Sequence, residues 1–148
     1  MPRPLRIALI VAGILVFAVI CAGLARVFTA GGGQRGAVVA LVRAQAAGDR
    51  AEVLRRLNGC GRTACRAEAL QQVARLRRPG RFEVLNLHSS LVAGLGGGTG
   101  TVRIAWRADD TLPIVQCIAV RRTGSVLAGF RIRLERLPPP IGREASCS

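Results

Sequence analysis

The sequence contains no lysine and no tyrosine, and it has a single histidine, His88. Without lysine, the glycine-rich run 94–100 cannot act as a P-loop, which needs a lysine to reach nucleotide phosphates. Without tyrosine, a general-base site built on Asp109 and Asp110 lacks a phenolic donor for an oxyanion. One histidine with no cysteine or acidic ligands near it does not form a metal site. No catalytic residue, cofactor or metal ligand set is therefore predicted.

Acidic residues are also scarce, because eight aspartates and glutamates stand against 22 arginines and the formal net charge is +14. The complete absence of lysine indicates a GC-rich genome, whose codons favour arginine, so arginine content alone does not indicate function. The sign of the charge still matters, since a basic surface attracts anionic lipids, polymers and nucleic acid. Nucleic acid is not expected as a partner of a domain outside the cytoplasm.

The longest uncharged apolar run covers residues 7–25. As a helix it would be about 28 Å long, close to the ~30 Å hydrocarbon core of a bilayer. The sequence therefore predicts a cytoplasmic tail over residues 1–6 and a single transmembrane helix over 7–28, with the lipid bilayer as a partner.

Two other interpretations of this run are possible. A signal peptide could be cleaved after the small residues 23–25, although the run is longer than the usual 7–15-residue apolar core. A lipoprotein would acylate Cys21, but the bulky Ile20 stands where a small residue is needed. An uncleaved anchor is favoured, and cleavage stays open.

The orientation follows from charges and cysteines. Arginines 3 and 6 precede the run, which favours a cytoplasmic N-terminus by the positive-inside rule and places the cell-membrane protein's C-terminal domain outside the cytoplasm. An even set of four cysteines in that domain suits an oxidising compartment. Three connectivities are possible, and the spacing favours two disulfide bonds, Cys60–Cys65 and Cys117–Cys147.

The rest of the chain is expected to form a Gly-rich flexible linker, one extracytoplasmic domain and a Pro-rich C-terminal tail, at residues 29–35, 36–137 and 138–148. Helical spacing predicts a helix over 38–47 that ends at Gly48. Asp49 followed by Glu52 predicts the capped start of a second helix. A third helix is expected over 63–77, before Pro79 and Gly80.

The second half of the domain changes to a period of two. Apolar residues alternate with polar ones over 101–107 and 130–135, which is typical of half-buried antiparallel strands. Two more strands are expected over 81–91 and 114–122, with a tight hairpin at 123–125. The fold class is therefore α+β: an N-terminal transmembrane helix, then three helices packed on a curled four-stranded antiparallel sheet.

This element order, with the helix 38–47, the turn Gly48–Asp49 and a second short helix, resembles the nuclear-transport-factor-2-like (cystatin-like) superfamily over about 35–137. The resemblance implies a cone-shaped fold whose interior can hold a small ligand, as in ketosteroid isomerases, or which serves as a non-enzymatic assembly module. Fold alone does not choose between these functions. A short tail, one span and an exported cone also look like scaffold subunits of bacterial conjugation and secretion machines.

Four arginines are expected to share the polar face of the sheet: Arg103, Arg107, Arg131 and Arg133. They are either a solvated face in an arginine-biased sequence or a surface that binds an anionic partner through bidentate guanidinium contacts. We expect a non-catalytic docking or scaffold module in the cell envelope, with an envelope protein complex or an anionic envelope surface as partner. The alternative is a small-ligand-binding or isomerase-like cone, secreted if the signal is cleaved.

Overall fold

The structure is a computed structural model that describes residues 3–91, 97–125 and 128–147. Residues 1–2 of the expected tail, residues 94–96 of the glycine-rich loop and residue 148 lie outside this description. Within the described ranges three helices precede four strands: α1 (Arg3–Ala47), α2 (Arg50–Arg56), α3 (Thr63–Leu76), β1 (Phe82–Ser89), β2 (Gly98–Ala108), β3 (Ile114–Ser125) and β4 (Gly129–Arg136). The α+β class and the four-stranded antiparallel sheet are confirmed.

Helix α1 joins the apolar run to the domain without a break. The segment 29–35, which we expected to be a flexible linker, is helical, so this expectation was wrong. Each glycine costs about 1 kcal/mol relative to alanine in a helix. A helix already formed on both sides adds a hydrogen bond for each residue without a new nucleation step, which offsets that cost. The stretch Ile7–Ala25 is long and apolar enough to cross a membrane, and none of it is buried.

The turn between α1 and α2 forms as its residues predict. Gly48 adopts a φ of 78°, a left-handed conformation that glycine adopts without strain, and its amide donates to the carbonyl of Gln45. The Asp49 carboxylate then accepts from the amide of Glu52 at 2.9 Å and so caps α2.

The sheet order is β1-β2-β3-β4, with each neighbouring pair antiparallel. Its inner face consists of the apolar residues of the alternating pattern, and Val102, Ile104 and Trp106 are fully buried there. They pack with Val38 and Leu41 of α1 in one hydrophobic core. The second half of α1 therefore lies against the sheet, while its first half has no contact that buries it.

Strand β3 ends later in the chain than the sequence predicted. Residues 123–125, expected to form a tight hairpin turn, belong to β3, where Thr123 pairs with Arg131 and Ser125 with Gly129. The β-branched Thr123 suits an extended strand, and Gly124 takes a φ of 110° within the pairing. The turn therefore falls later in the chain, and residues 126–127 lie outside the described residues.

Two contacts fix the direction of α1 relative to the sheet. The Gln34 amide donates to the Ser89 hydroxyl at 2.8 Å, at the end of β1. The guanidinium carbon of Arg43 lies 5.6 Å from the ring centroid of Phe82, at the start of β1. Helix α1 and strand β1 therefore run in opposite directions, and the end of β1 is the end nearer to the apolar run.

Two glutamines are fully buried in this core and differ in their hydrogen bonds. The Trp106 indole donates to the side-chain oxygen of Gln116 at 3.0 Å, and the Gln116 amide donates to the Pro138 carbonyl at 3.2 Å. Neither amide atom of Gln45 has a partner among the described residues. An unsatisfied buried polar group costs about 1–3 kcal/mol, so Gln45 lowers the free energy of unfolding.

We predict that Gln45→Met raises the free energy of unfolding by about 1–2 kcal/mol, because an apolar side chain of similar size replaces an unpaired amide. Gln116→Met is the matched control and should lower it by about 1–3 kcal/mol, since the Trp106 indole loses its acceptor. Denaturant unfolding of the full chain in detergent, followed by fluorescence of the single tryptophan, measures both. A destabilised Gln45→Met variant would show that an internal water satisfies the native amide.

Candidate functional site: the arginine-bearing face of the sheet

The face of the sheet that points away from α1, here called the outer face, carries the arginines that the alternating pattern predicts. On β2, Arg103 and Arg107 alternate with fully buried neighbours. On β4, Arg131 and Arg133 are exposed and flank Ile132, which packs against the core. The structure places all four on one face, but their surroundings divide them into two pairs.

Arg103 and Arg107 are engaged within the protein. The Arg103 guanidinium donates to the backbone carbonyls of Arg143 and Ala145, the second contact at 3.2 Å. Arg107 Nη2 lies 2.8 Å from a carboxylate oxygen of Glu83, the residue directly opposite on β1. Part of each guanidinium is therefore already engaged, which makes these two arginines poorer candidates for an external anion than the pair on β4.

Arg131 and Arg133 have no hydrogen-bond or ion-pair partner among the described residues. Across the sheet, Arg131 faces Thr123 and Arg133 faces Arg121. Arg121 is itself paired with Glu135. Like charges directly opposite each other destabilise a sheet, and the Glu135 carboxylate reduces that repulsion. The exposed positive charge of the outer face is thus concentrated at Arg131 and Arg133.

The segment after β4, which we expected to be a Pro-rich tail, is attached to the sheet at several points. The Ile141 amide donates to the Val115 carbonyl at 2.8 Å. Cys147 and Cys117 form a pair at disulfide distance, with their Cα atoms 5.7 Å apart. Together with the Arg103 contacts, these bonds hold residues 138–147 against the domain as part of its surface.

The second cysteine pair, Cys60 and Cys65, also has its Cα atoms 5.7 Å apart. It closes the connection between α2 and α3 beside the end of β4. A cavity of about 630 Å³ lies there and includes Glu68 and Glu135 in its lining. Each carboxylate is paired with an arginine, Glu68 with Arg136 at 3.6 Å and Glu135 with Arg121. No sequence pattern predicts this cavity, because its residues come together only through the disulfide and the β4 edge.

Two other residues that the sequence singled out, His88 and Asp109, lie outside the arginine pairs. His88 is exposed on the outer face, opposite Arg103, and borders a cavity of about 240 Å³. Asp109 has a φ of 46°, and its carboxylate accepts from the Arg81 amide at 2.8 Å, so it shapes the turn after β2. No group of three histidine, cysteine or acidic residues among the described residues could hold a metal ion.

No protein-family model matches this chain, and neither curated proteins nor solved structures give a significant match. The resemblance to the nuclear-transport-factor-2-like superfamily therefore stays a prediction.

We predict that the cysteine pairs 60–65 and 117–147 are oxidised in the mature protein and that Cys21, which is exposed and unpaired, is reduced. On the chain-entropy model, removing the pair 117–147, which is 30 residues apart, should cost about 3–4 kcal/mol, and removing the pair 60–65, five residues apart, about 2 kcal/mol. Mass spectrometry after thiol blocking tests the first point, and unfolding of the paired serine variants tests the second. Four blocked thiols in the domain would indicate a reducing compartment.

Because Arg103 is hydrogen-bonded within the protein while Arg131 and Arg133 make no such bond among the described residues, we predict that their substitutions change the free energy of unfolding unequally. Arg103→Gln removes two hydrogen bonds from a charged donor and should lower the free energy of unfolding by about 1 kcal/mol or more. Arg131→Gln and Arg133→Gln should each change it by no more than about 0.5 kcal/mol, as exposed substitutions usually do. Denaturant midpoints of the full-length variants measure the difference. Equal losses at Arg103 and Arg133 would mean that the two pairs do not differ as described.

Proposed function

We propose that this protein is a non-catalytic single-pass membrane protein whose domain lies outside the cytoplasm and acts as a docking or scaffold module in the cell envelope. In this proposal the domain is a curled sheet under three helices, of the nuclear-transport-factor-2-like kind, and the N-terminus is cytoplasmic. The partner is an anionic component of the envelope.

The observation that carries the proposal is the double role of α1. Its first half is an unburied apolar stretch of membrane-spanning length. Its second half supplies core residues of the domain, including Val38, Leu41 and Val42, all fully buried. A helix shared in this way holds the domain at a fixed distance from the membrane, as a scaffold subunit requires.

The cysteines and the flanking charges support the side of the membrane. Two pairs at disulfide distance suit an oxidising compartment. Arginines 3 and 6 before the apolar stretch favour a cytoplasmic N-terminus. Both observations favour the same topology and are independent of each other.

The packing between α1 and the sheet favours docking over small-ligand binding. A ligand-binding cone keeps an apolar pocket with a few polar groups at this position. Here Leu41, Ile104 and Trp106 are fully buried in one core cluster. The chemically available groups lie outside the core, at Arg131 and Arg133, where guanidinium groups suit carboxylates and phosphates.

We predict that the full-length protein stays in the membrane fraction after high-salt and carbonate washing, with its N-terminus intact. Affinity capture from that membrane, with mass spectrometry, should then recover a partner that is lost with Arg131→Gln plus Arg133→Gln. The matched control is Arg50→Gln plus Arg81→Gln, which removes the same charge from exposed positions in other parts of the domain.

A soluble form that begins near residue 26 would show a cleaved signal and contradict the anchor. A partner retained equally by both double variants would contradict the role of Arg131 and Arg133 in docking.

A further inference from the structure

The direction of α1 identifies the end of the sheet that is nearer to the membrane. Gln34 contacts the end of β1 and Arg43 contacts its start. Because all neighbouring strands are antiparallel, the start of β2, the end of β3 and the start of β4 lie at the same end as Ser89. We call residues 98–101, 120–125 and 128–133 the span-proximal end.

Only a short part of α1 lies between the apolar stretch and the sheet. Gln34 is nine positions after Ala25, which corresponds to about 14 Å of helix, and Ala37 lies about 18 Å from Ala25. Ala37 borders the same small cavity as Ile132 of β4. Phe130 is two strand residues nearer to the turn, or up to about 7 Å closer to the bilayer. The headgroup layer extends about 5–8 Å beyond the hydrocarbon core, so the Arg131 side chain comes within its reach. The charge of Arg133 lies farther away, within one Debye length (~8 Å) of that layer.

The charges of the domain are distributed unevenly along this axis. The span-proximal end contains four arginines, Arg121, Arg122, Arg131 and Arg133. One carboxylate, that of Glu135, also reaches this end, since it lies between the sheet rows of Gly100 and Thr101 and pairs with Arg121. Asp49 follows the end of α1, Glu83 lies near the start of β1, and Asp109 follows β2, all at the opposite end. Glu144 lies in the C-terminal segment. Four arginines against the carboxylate of Glu135 leave the end that faces the membrane with an excess of positive charge.

An aromatic contact shapes the same end. The guanidinium carbon of Arg122 lies 4.1 Å from the ring centroid of Phe130, a cation–π distance. Both residues are half-buried. The pair forms a surface with an apolar ring and a charged group, which suits the boundary between hydrocarbon and headgroups. Arg131 lies next to it on β4 and is exposed.

We propose that the span-proximal end, chiefly Arg131 and Arg133, binds anionic phospholipid headgroups of the same membrane that α1 spans. This inference names the partner of the docking surface and rests on the membrane anchoring in the proposed function. The domain is then held against the bilayer by two contacts, the helix and the arginines, and the end that carries Asp49, Glu83 and Asp109 faces away from the membrane.

The test uses the full-length protein in nanodiscs that carry a trace of phosphatidylcholine with a photoreactive diazirine headgroup. One set of discs is phosphatidylcholine alone, and the other contains equal parts of phosphatidylcholine and phosphatidylglycerol. Mass spectrometry locates the crosslinks along the chain. We expect them to concentrate at the strand ends that carry Arg122 and Arg131, to increase in the anionic discs and to decrease as salt rises.

The double variant Arg131→Gln plus Arg133→Gln should reduce the lipid-dependent crosslinking by up to about thirtyfold, the factor for two arginines at ~1 kcal/mol each near an anionic surface. The control, Arg50→Gln plus Arg81→Gln, makes the same change in charge at the opposite end and should have little effect. Both variants keep α1 unchanged, so anchoring is constant.

Equal crosslinking in neutral and anionic discs, with the protein intact and anchored, would overturn the lipid contact and leave another envelope component as the docking partner. Crosslinks centred near Asp49 and Asp109 would overturn the orientation of the domain. If the protein purified from its own membrane lacks residues 1–25, the proposed function fails and the inference fails with it.

Discussion

The packing of the second half of α1 against the sheet is the contact on which the rest of the structure depends. Val38 and Leu41 meet Ile104 and Trp106 there, and all four are fully buried. Burying a side chain of this size contributes about 1.5–3 kcal/mol. Since side chains alternate along a strand, this contact also determines which residues point outward. Since the same helix begins at Arg3, it determines which end of the sheet faces the apolar stretch.

Several polar groups around this core are hydrogen-bonded by segments distant in sequence. These bonds distinguish side chains that support the fold from side chains that are available to a partner. Asn58 accepts from the Leu134 amide at 3.0 Å and so covers the edge of β4, which would otherwise expose backbone donors. Gln116 and Arg103 similarly bind carbonyls of the C-terminal segment. The side chains used in these bonds have fewer donors left for a partner. Arg131 and Arg133 make no such bond among the described residues.

Local patterns predicted most of the fold, and long-range contacts account for what they missed. The period of two identified the strands and the inward direction of Val102, Ile104 and Trp106, because a half-buried strand has to alternate. The helical state of segment 29–35 was missed because glycine propensity is local, whereas the helix is supported from both ends. The engagement of Arg103 could not be predicted either, since its acceptor on Arg143 is 40 residues away.

Codon bias and functional selection affect the positions of charged residues differently. A bias toward arginine adds positive charge across the whole surface, and arginines do occur at both ends of this domain, for example Arg50 and Arg131. Such a bias does not decide where acidic residues stand. At residues 98–101, 120–125 and 128–133, the end of the sheet nearer to the apolar stretch of α1, Glu135 contributes a carboxylate through its pair with Arg121, and the ranges themselves contain none of the eight acidic residues. Acidic residues there would face the headgroups of an anionic bilayer at a short distance and would be repelled. The excess of four arginines over the single paired carboxylate of Glu135 at this end, rather than the total number of arginines, therefore favours a membrane-facing role for it.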